Sequence, residues 1–376
     1  HNMFTYPGTL VSDVGWSTAN YVLTDTSVFG YQALGKSKEY AGEGWNSGRG
    51  PYAPPVAFIN DIKRTDKQKG VFGEVNIAMS DTVELTLGAR WYDIEVDLEG
   101  SANAIAGTGF GGGDQQRFGT NLSGAFNAPG EVTGNPVLDA LDYPDKAVSD
   151  GVIGKATLAW NKSEDVMYYV TWSEGFRPGL LNRPAGAVST DGTYTIRPVT
   201  DSDEITNYEF GWKTVLRDGQ LRFNGAAFFV DISGLQTSIL DPAMGTNLFF
   251  SDNAADAEIS GVEGDFTYYT NTDGLVVSGA FSMLDSEIKK SLTTSDVVAG
   301  MPLAFAPEIQ GNIAVRKEWG MSSGNMGHIQ AQLTWSDESY SDIIEANKGK
   351  QDSYSFMNLR AGISNDEWMA ELYVDN

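Results

Sequence analysis

Few side chains in this chain are suited to making or breaking a covalent bond. Its 376 residues include no cysteine and only two histidines, His1 and His328. Thiolate chemistry, a Ser-His-Asp relay and a histidine-rich metal site therefore all lack their central groups. His328 falls on the polar side of an alternating run and reads as a plain wall residue. Carboxylates are plentiful, 50 Asp and Glu against 25 Lys and Arg, and they gather at Asp93, Glu95, Asp97 and at Asp201, Asp203, Glu204. Calcium needs several such oxygens, but neither group has the spacing of a dedicated calcium loop, so solvated loop charge is the simpler reading. The stretch Gly107 to Gly113 lacks the Gly-Lys-Ser/Thr ending of a phosphate cradle and has no strand leading into it. Binding chemistry concentrates in one place. Glu174, Phe176 and Arg177 supply a carboxylate, a ring and a guanidinium directly before Pro178, with Asn182 and Arg183 following in a long connection. Loops carried on a rigid scaffold are where ligand contacts collect, although Glu174 and Arg177 also suit the anchoring of such a loop. No catalytic residue, metal ligand or cofactor is implied, and the net charge of −25 would repel nucleic acid.

The elements that must hold these residues are strands. In HIQAQLTWS, Ile329, Ala331, Leu333 and Trp335 share one face while His328, Gln330, Gln332, Thr334 and Ser336 share the other. The pattern recurs in segments of about 10 residues, the length that crosses a bilayer when tilted. No run of apolar residues is long enough for a transmembrane helix. The expected fold class is all-β, a transmembrane antiparallel β-barrel, with strands at 68–79, 83–97, 151–161, 165–173, 202–216, 220–231, 254–269, 274–287, 304–318, 328–337, 351–364 and 367–376. Residues 1–67, rich in Gly, Pro, Ser and Asn, read as a long extracellular loop, and 68–376 as barrel. The opening HNMFTYPG shows no export signal.

Short turns at Ser80-Asp81-Thr82, Lys162 to Asp165, Asn271 to Gly274 and Asn365-Asp366 alternate with long connections near 99–150, 174–201, 232–253, 289–303 and 338–351. That asymmetry is the one between periplasmic turns and extracellular loops. It places Trp160, Trp319 and Trp368 near the periplasmic end and Trp91, Trp172 and Trp335 near the other, as two aromatic girdles. Asp218-Gly219 would supply the positive φ angles of a two-residue hairpin. The inward face then carries Glu84, Arg90, Glu209, Lys213, Glu263, Asp265, Arg316 and Arg360, a mixture of signs that can pair with a polar filling or line water.

Several segments together resemble the C-terminal barrel half of TonB-dependent outer-membrane receptors. The most specific is YYVTWSEGFRPGLLNRP, Tyr168 to Pro184, joined by Glu204 to Gln236, Asn253 to Thr270, Met301 to Trp319 and the closing ELYVDN. The resemblance implies a barrel of about 22 strands with a plugged lumen, of which this chain would supply about 12. The plug and the final strand would lie outside it, making the chain a fragment. It further implies the outer membrane of a Gram-negative bacterium, energised uptake of a scarce solute such as a ferric siderophore, and no enzymatic activity. The implied partners are outer-membrane lipid, that solute, and a TonB-type energy-coupling protein acting through the absent plug, which the lumen-facing residues would contact. A passive porin is the alternative transporter, and a surface adhesin or soluble all-β binding protein the alternative of another class.

Overall fold

An alternating sequence gains most when one face of each strand meets one environment and the other face another. The computed structural model describes residues 2–5, 56–104, 146–182, 197, 199–240, 249–292, 297–344 and 348–376. Among them there is no helix. The strands are β1 (Asn2–Thr5), β2 (Val56–Ala78), β3 (Val83–Ala104), β4 (Lys146–Ser163), β5 (Val166–Arg177), β6 (Asp203–Leu216), β7 (Leu221–Leu240) and β8 (Phe249–Tyr269). They continue with β9 (Leu275–Ser291), β10 (Ile309–Gly320), β11 (Met326–Ser336), β12 (Ser339–Tyr340), β13 (Lys350–Gln351), β14 (Tyr354–Ser364) and β15 (Met369–Val374). Thirteen of them form one antiparallel sheet in the order β1 to β11, then β14 and β15, while β12 and β13 pair separately. β1 and β15 do not pair with each other, so the sheet is open.

Register keeps the two faces distinct across the whole sheet. Trp160, Tyr168, Trp212, Gly225, Gly264, Phe281, Gly311, Trp335 and Ser355 stand opposite one another in a single outward row from β4 to β14. That row starts beside a short turn and ends near the long-connection end, the slant expected of tilted, staggered barrel strands. Outward side chains such as Val75 (60% exposed), Leu333 (41%) and Leu359 (42%) have no protein cover. A contiguous apolar surface this large needs an apolar solvent. Small and large residues interlock along it. A methyl group on Gly311 would lie 2.6 Å from the Trp335 ring, one on Gly327 2.7 Å from Trp319, and one on Gly279 2.9 Å from Phe266. Each of those glycines is the direct cross-strand partner of its ring.

All strands expected from the alternation are present, but their upper ends differ. β2 begins at Val56, and β1 pairs with Val56 to Asn60, so part of the stretch expected as loop belongs to the sheet. Residues 6–55 lie outside those described. β3 runs on to Ala104, β7 to Leu240, and β8 starts at Phe249. The reason is an inversion of polarity. Past Trp91 the outward positions become Asp93, Glu95 and Asp97, while inward Tyr92, Ile94 and Val96 are buried. β9 repeats it, with Asp285 and Glu287 outward and Ser286 and Ile288 buried inward. Here water replaces lipid on the outside, and the apolar residues turn in. A small core follows from this, formed by Phe250, Ala254, Ala255, Ile288, Val297, Ile343 and Ile344. It draws the connections after β9 and β11 onto the inner side of the extended strands, through the Val297–Ile344 bridge and the bond from Ile288 N to Met301 O (2.8 Å).

The β6–β7 turn is wider than a two-residue hairpin. Leu216 pairs with Leu221, and Arg217, Asp218 and Gly219 have φ of 55°, 55° and 88°. The positive angles therefore begin one residue earlier than Asp218.

Candidate functional site

The segment richest in binding-type residues, at the end of β5, is held by bonds within the protein. Arg177 grips Asp203 of β6 with its guanidinium, Nε at 2.7 Å from Oδ2 and Nη2 on the same oxygen, while its backbone N–H donates to Oδ1 at 3.0 Å. Asp203 is fully buried and also accepts from Gln236 N at 3.2 Å. The amide of Gln236 returns to Pro178 O (3.0 Å) and Asp201 O (2.9 Å). Asn182 is buried and binds Ser251 from both ends of its amide, donating to the carbonyl (2.7 Å) and accepting from N–H (2.8 Å). Arg197, Asp201, Asp252 and Asn253 complete the cluster, with Arg197 donating to Asp201 at 2.7 Å and to Asn253 Oδ1 at 2.6 Å. Glu174 closes the adjoining ladder: β4 and β5 pair only as far as Ser173, and the Glu174 carboxylate accepts the N–H of Gly154 at 2.9 Å. Phe176 reaches over to β3 and stacks on Tyr92, ring centroids 3.6 Å apart. Arg183 lies outside the described residues. The structure thus brings Arg177 and Asn182 into one cluster, and it adds Gln236, Arg197 and Asn253, which no local motif marked, and Asp203, which the sequence showed only as one of an acidic group.

The inward charged residues separate into groups. Lys213, Glu263 and Asp265 line a recess of about 360 Å³ on β6 to β9, together with Tyr169 and Asn224. Glu209 joins them through the Tyr169 hydroxyl, which donates to its carboxylate at 2.5 Å. Arg316 and Arg360 belong to a second group on β10, β11, β14 and β15. Arg316 bonds Glu318 (2.7 Å) and Gln330 (3.1 Å), and Glu371 bridges His328 (2.9 Å) and Arg360 (3.4 Å). Glu84 and Arg90 stand apart on β3, exposed on the inner face opposite Ala159 and Ile153 of β4. Both signs therefore occur along the wall, and ion pairs link many of them.

A third inward region, near the long-connection end of β9, β10, β11 and β14, is different in kind. Its recess of about 270 Å³ is lined by Ser282, Gln310, Asn312, Thr334, Ser336 and Tyr354 with no charged side chain. A period-two reading of each strand puts these residues inward, but only the register shows that they adjoin. Among the described residues no group of His, Cys, Asp and Glu could hold a metal ion.

Comparison with known proteins gives a consistent result. The family model described as TonB dependent receptor-like, beta-barrel matches residues 2–376. Among solved structures, the ferric yersiniabactin uptake receptor FyuA from Yersinia pestis aligns with a TM-score of 0.59 at 16% identity, over 84% of this chain and 41% of that one. The siderophore receptor PiuA from Acinetobacter baumannii gives 0.57 at 18%, over 84% and 39%. The ferripyoverdine receptor of Pseudomonas aeruginosa gives 0.51 at 15%, over 84% and 35%. At these identities the likeness establishes the fold alone, and the chain spans about two fifths of the length of the first two.

Proposed function

Since this chain belongs to the TonB-dependent receptor β-barrel family, a family of receptors and not of enzymes, we propose that it forms barrel wall in an outer-membrane receptor for energised uptake of a scarce solute, a ferric siderophore or other iron complex. The long-connection end is then extracellular and the short turns periplasmic. The observation that carries this reading is the two-sided wall. Its outer face is apolar and uncovered between the tryptophan levels, and its inner face holds ionic groups of both signs suited to contact with a polar filling. The siderophore receptors among its structural neighbours support the choice of cargo. Coupling to a TonB-type protein is the part of this reading supported by family membership alone.

The test is uptake of labelled ferric siderophores, at low external concentration, by cells carrying the complete receptor. Entry should collapse when the proton gradient is dissipated. Entry that continues undiminished would identify a passive pore instead.

A further inference from the structure

Five adjoining side chains on the inner wall carry hydrogen-bonding groups that no other described residue uses. Ser282, Gln310, Ser336 and Tyr354 stand opposite one another in one row across β9, β10, β11 and β14, and Ala280, Asn312, Thr334 and Phe356 form the row beneath. Ser336 donates to Asp337 O at 3.2 Å. Ser282, Gln310, Asn312, Thr334 and the Tyr354 hydroxyl make no side-chain hydrogen bond among the described residues. One row deeper, the Oδ1 of Asn358 is buried and has no partner among the described residues. Beside these groups Tyr354 is 45% exposed, its ring nearly parallel to Phe356 at 6.2 Å.

The chemistry of the recess selects its occupant. A strongly charged solute finds no counter-ion in the lining, and the cations further down the wall are already held, Arg316 by Glu318 and Gln330 and Arg360 by Glu371. Hydroxyls and amides both donate and accept, as the hydroxyls of a sugar do. An aromatic ring with a polar tip covers an apolar C–H face and stays wet at its edge. A few polar groups beside an apolar surface are what orient a small ligand. We propose that this recess is a sugar-binding subsite, in which Tyr354 lies against the apolar face of an uncharged ring while Gln310, Asn312 and Thr334 bond its hydroxyls. The assignment rests on the reading of this wall as part of a solute receptor, and it specifies the part of the cargo that touches it. The ring belongs either to a free oligosaccharide or to the sugar-bearing exterior of an iron chelate.

Binding to the purified complete receptor in detergent decides this. The probes are neutral gluco-, manno- and xylo-oligosaccharides, a glucosylated ferric chelate, and the same chelate without its sugars. At least one sugar-bearing probe should bind, and Asn312→Ala with Thr334→Ala should weaken it about tenfold or more at an unchanged melting temperature. Tyr354→Ala should do the same while Tyr354→Phe retains the ring and most of the affinity. Oligosaccharide binding assigns a free glycan as the source, and binding of the glucosylated chelate alone assigns an iron complex. The subsite is refuted if no sugar-bearing probe binds, if the variants leave affinity unchanged, or if the sugar-free chelate binds as well and loses as much. Binding that behaves as expected alongside uptake indifferent to the proton gradient would count against energised transport and leave the subsite standing.

Discussion

Asp203 and Thr334 both belong to the inner face near the long-connection end of the sheet, yet their surroundings are opposites. Asp203 is fully buried, and its oxygens take bonds from Arg177 and from Gln236. Thr334 is half-buried beside Asn312 and Gln310, and none of the three makes a side-chain hydrogen bond among the described residues. The first region ties the connection between β5 and β6 to four strands, β5, β6, β7 and β8. The second leaves its donors and acceptors to water and whatever displaces it. A conspicuous motif such as Glu-Gly-Phe-Arg-Pro-Gly therefore marks where the chain needs its loops fixed, whereas free binding capacity sits among residues that form no motif.

This contrast can be pressed from both sides. The largest effect should come from the outer face behind the free region: Leu333→Arg would set a cation in lipid and cost about 2–4 kcal/mol if it lies near the midplane, while Gln332→Arg on the inner face should be far milder. A reversible bilayer-folding titration of the complete receptor would show it, and equal costs would overturn the alternation assigned to β11. Next comes Asp203→Ala. Losing this carboxylate strands the Arg177 and Gln236 N–H groups, so folding stability should fall by about 2–3 kcal/mol, the value for a buried pair reduced because Arg177 is half exposed. Protease cleavage within 177–201 should rise with it, and intact protection there would show that the cluster is not what holds the loop.

The smallest effect concerns the extended β2–β3 hairpin, above the lipid level. The hydrogen bond from Lys67 holds the Glu95 carboxyl below its ordinary value of 4.5, with Lys146 adding to it, and the same bond raises Lys67. A depressed carboxyl stabilises the fold above its unfolded-state value and loses that contribution as pH falls through the folded one. Amide protection in this hairpin should therefore stay level from neutral pH down to about that ordinary value and decline only in stronger acid, slightly because both groups are exposed. A decline that begins near neutral would assign the hairpin's stability to other groups.

The lower half of each strand was legible in the sequence because lipid enforces one rule, apolar outward at every second residue. Val83 to Trp91 and Ile329 to Trp335 obey it without exception on their outward positions. Above the tryptophans the rule reverses, and a run such as Tyr92 to Asp97 reads as dissolving alternation although the strand continues. The loop-anchoring residues were recognised as a type of chemistry, but their partners were out of reach. Asp203 is 26 positions from Arg177, and Gln236 is 59 from it. The uncharged recess was invisible for a similar reason: three strands contribute unremarkable Asn, Gln, Ser and Thr, and only pairing makes them neighbours.

The glycine and aromatic pairs on the outer face bear on how such a sheet avoids assembling wrongly. Alternation fixes only which face a side chain takes, so a slip of two residues between strands would keep every apolar group outward and go unnoticed by lipid. Slipping β11 that way against β10 would set Trp335 opposite Ile313 or Ile309 in place of Gly311, where the ring has no room to lie down. Gly327 with Trp319 imposes the same condition a second time on this seam, and Gly264 with Phe281 imposes it on the seam between β8 and β9. Small and large residues thus act as a matching code between neighbouring strands, carrying the half of the alignment information that hydrophobicity cannot encode.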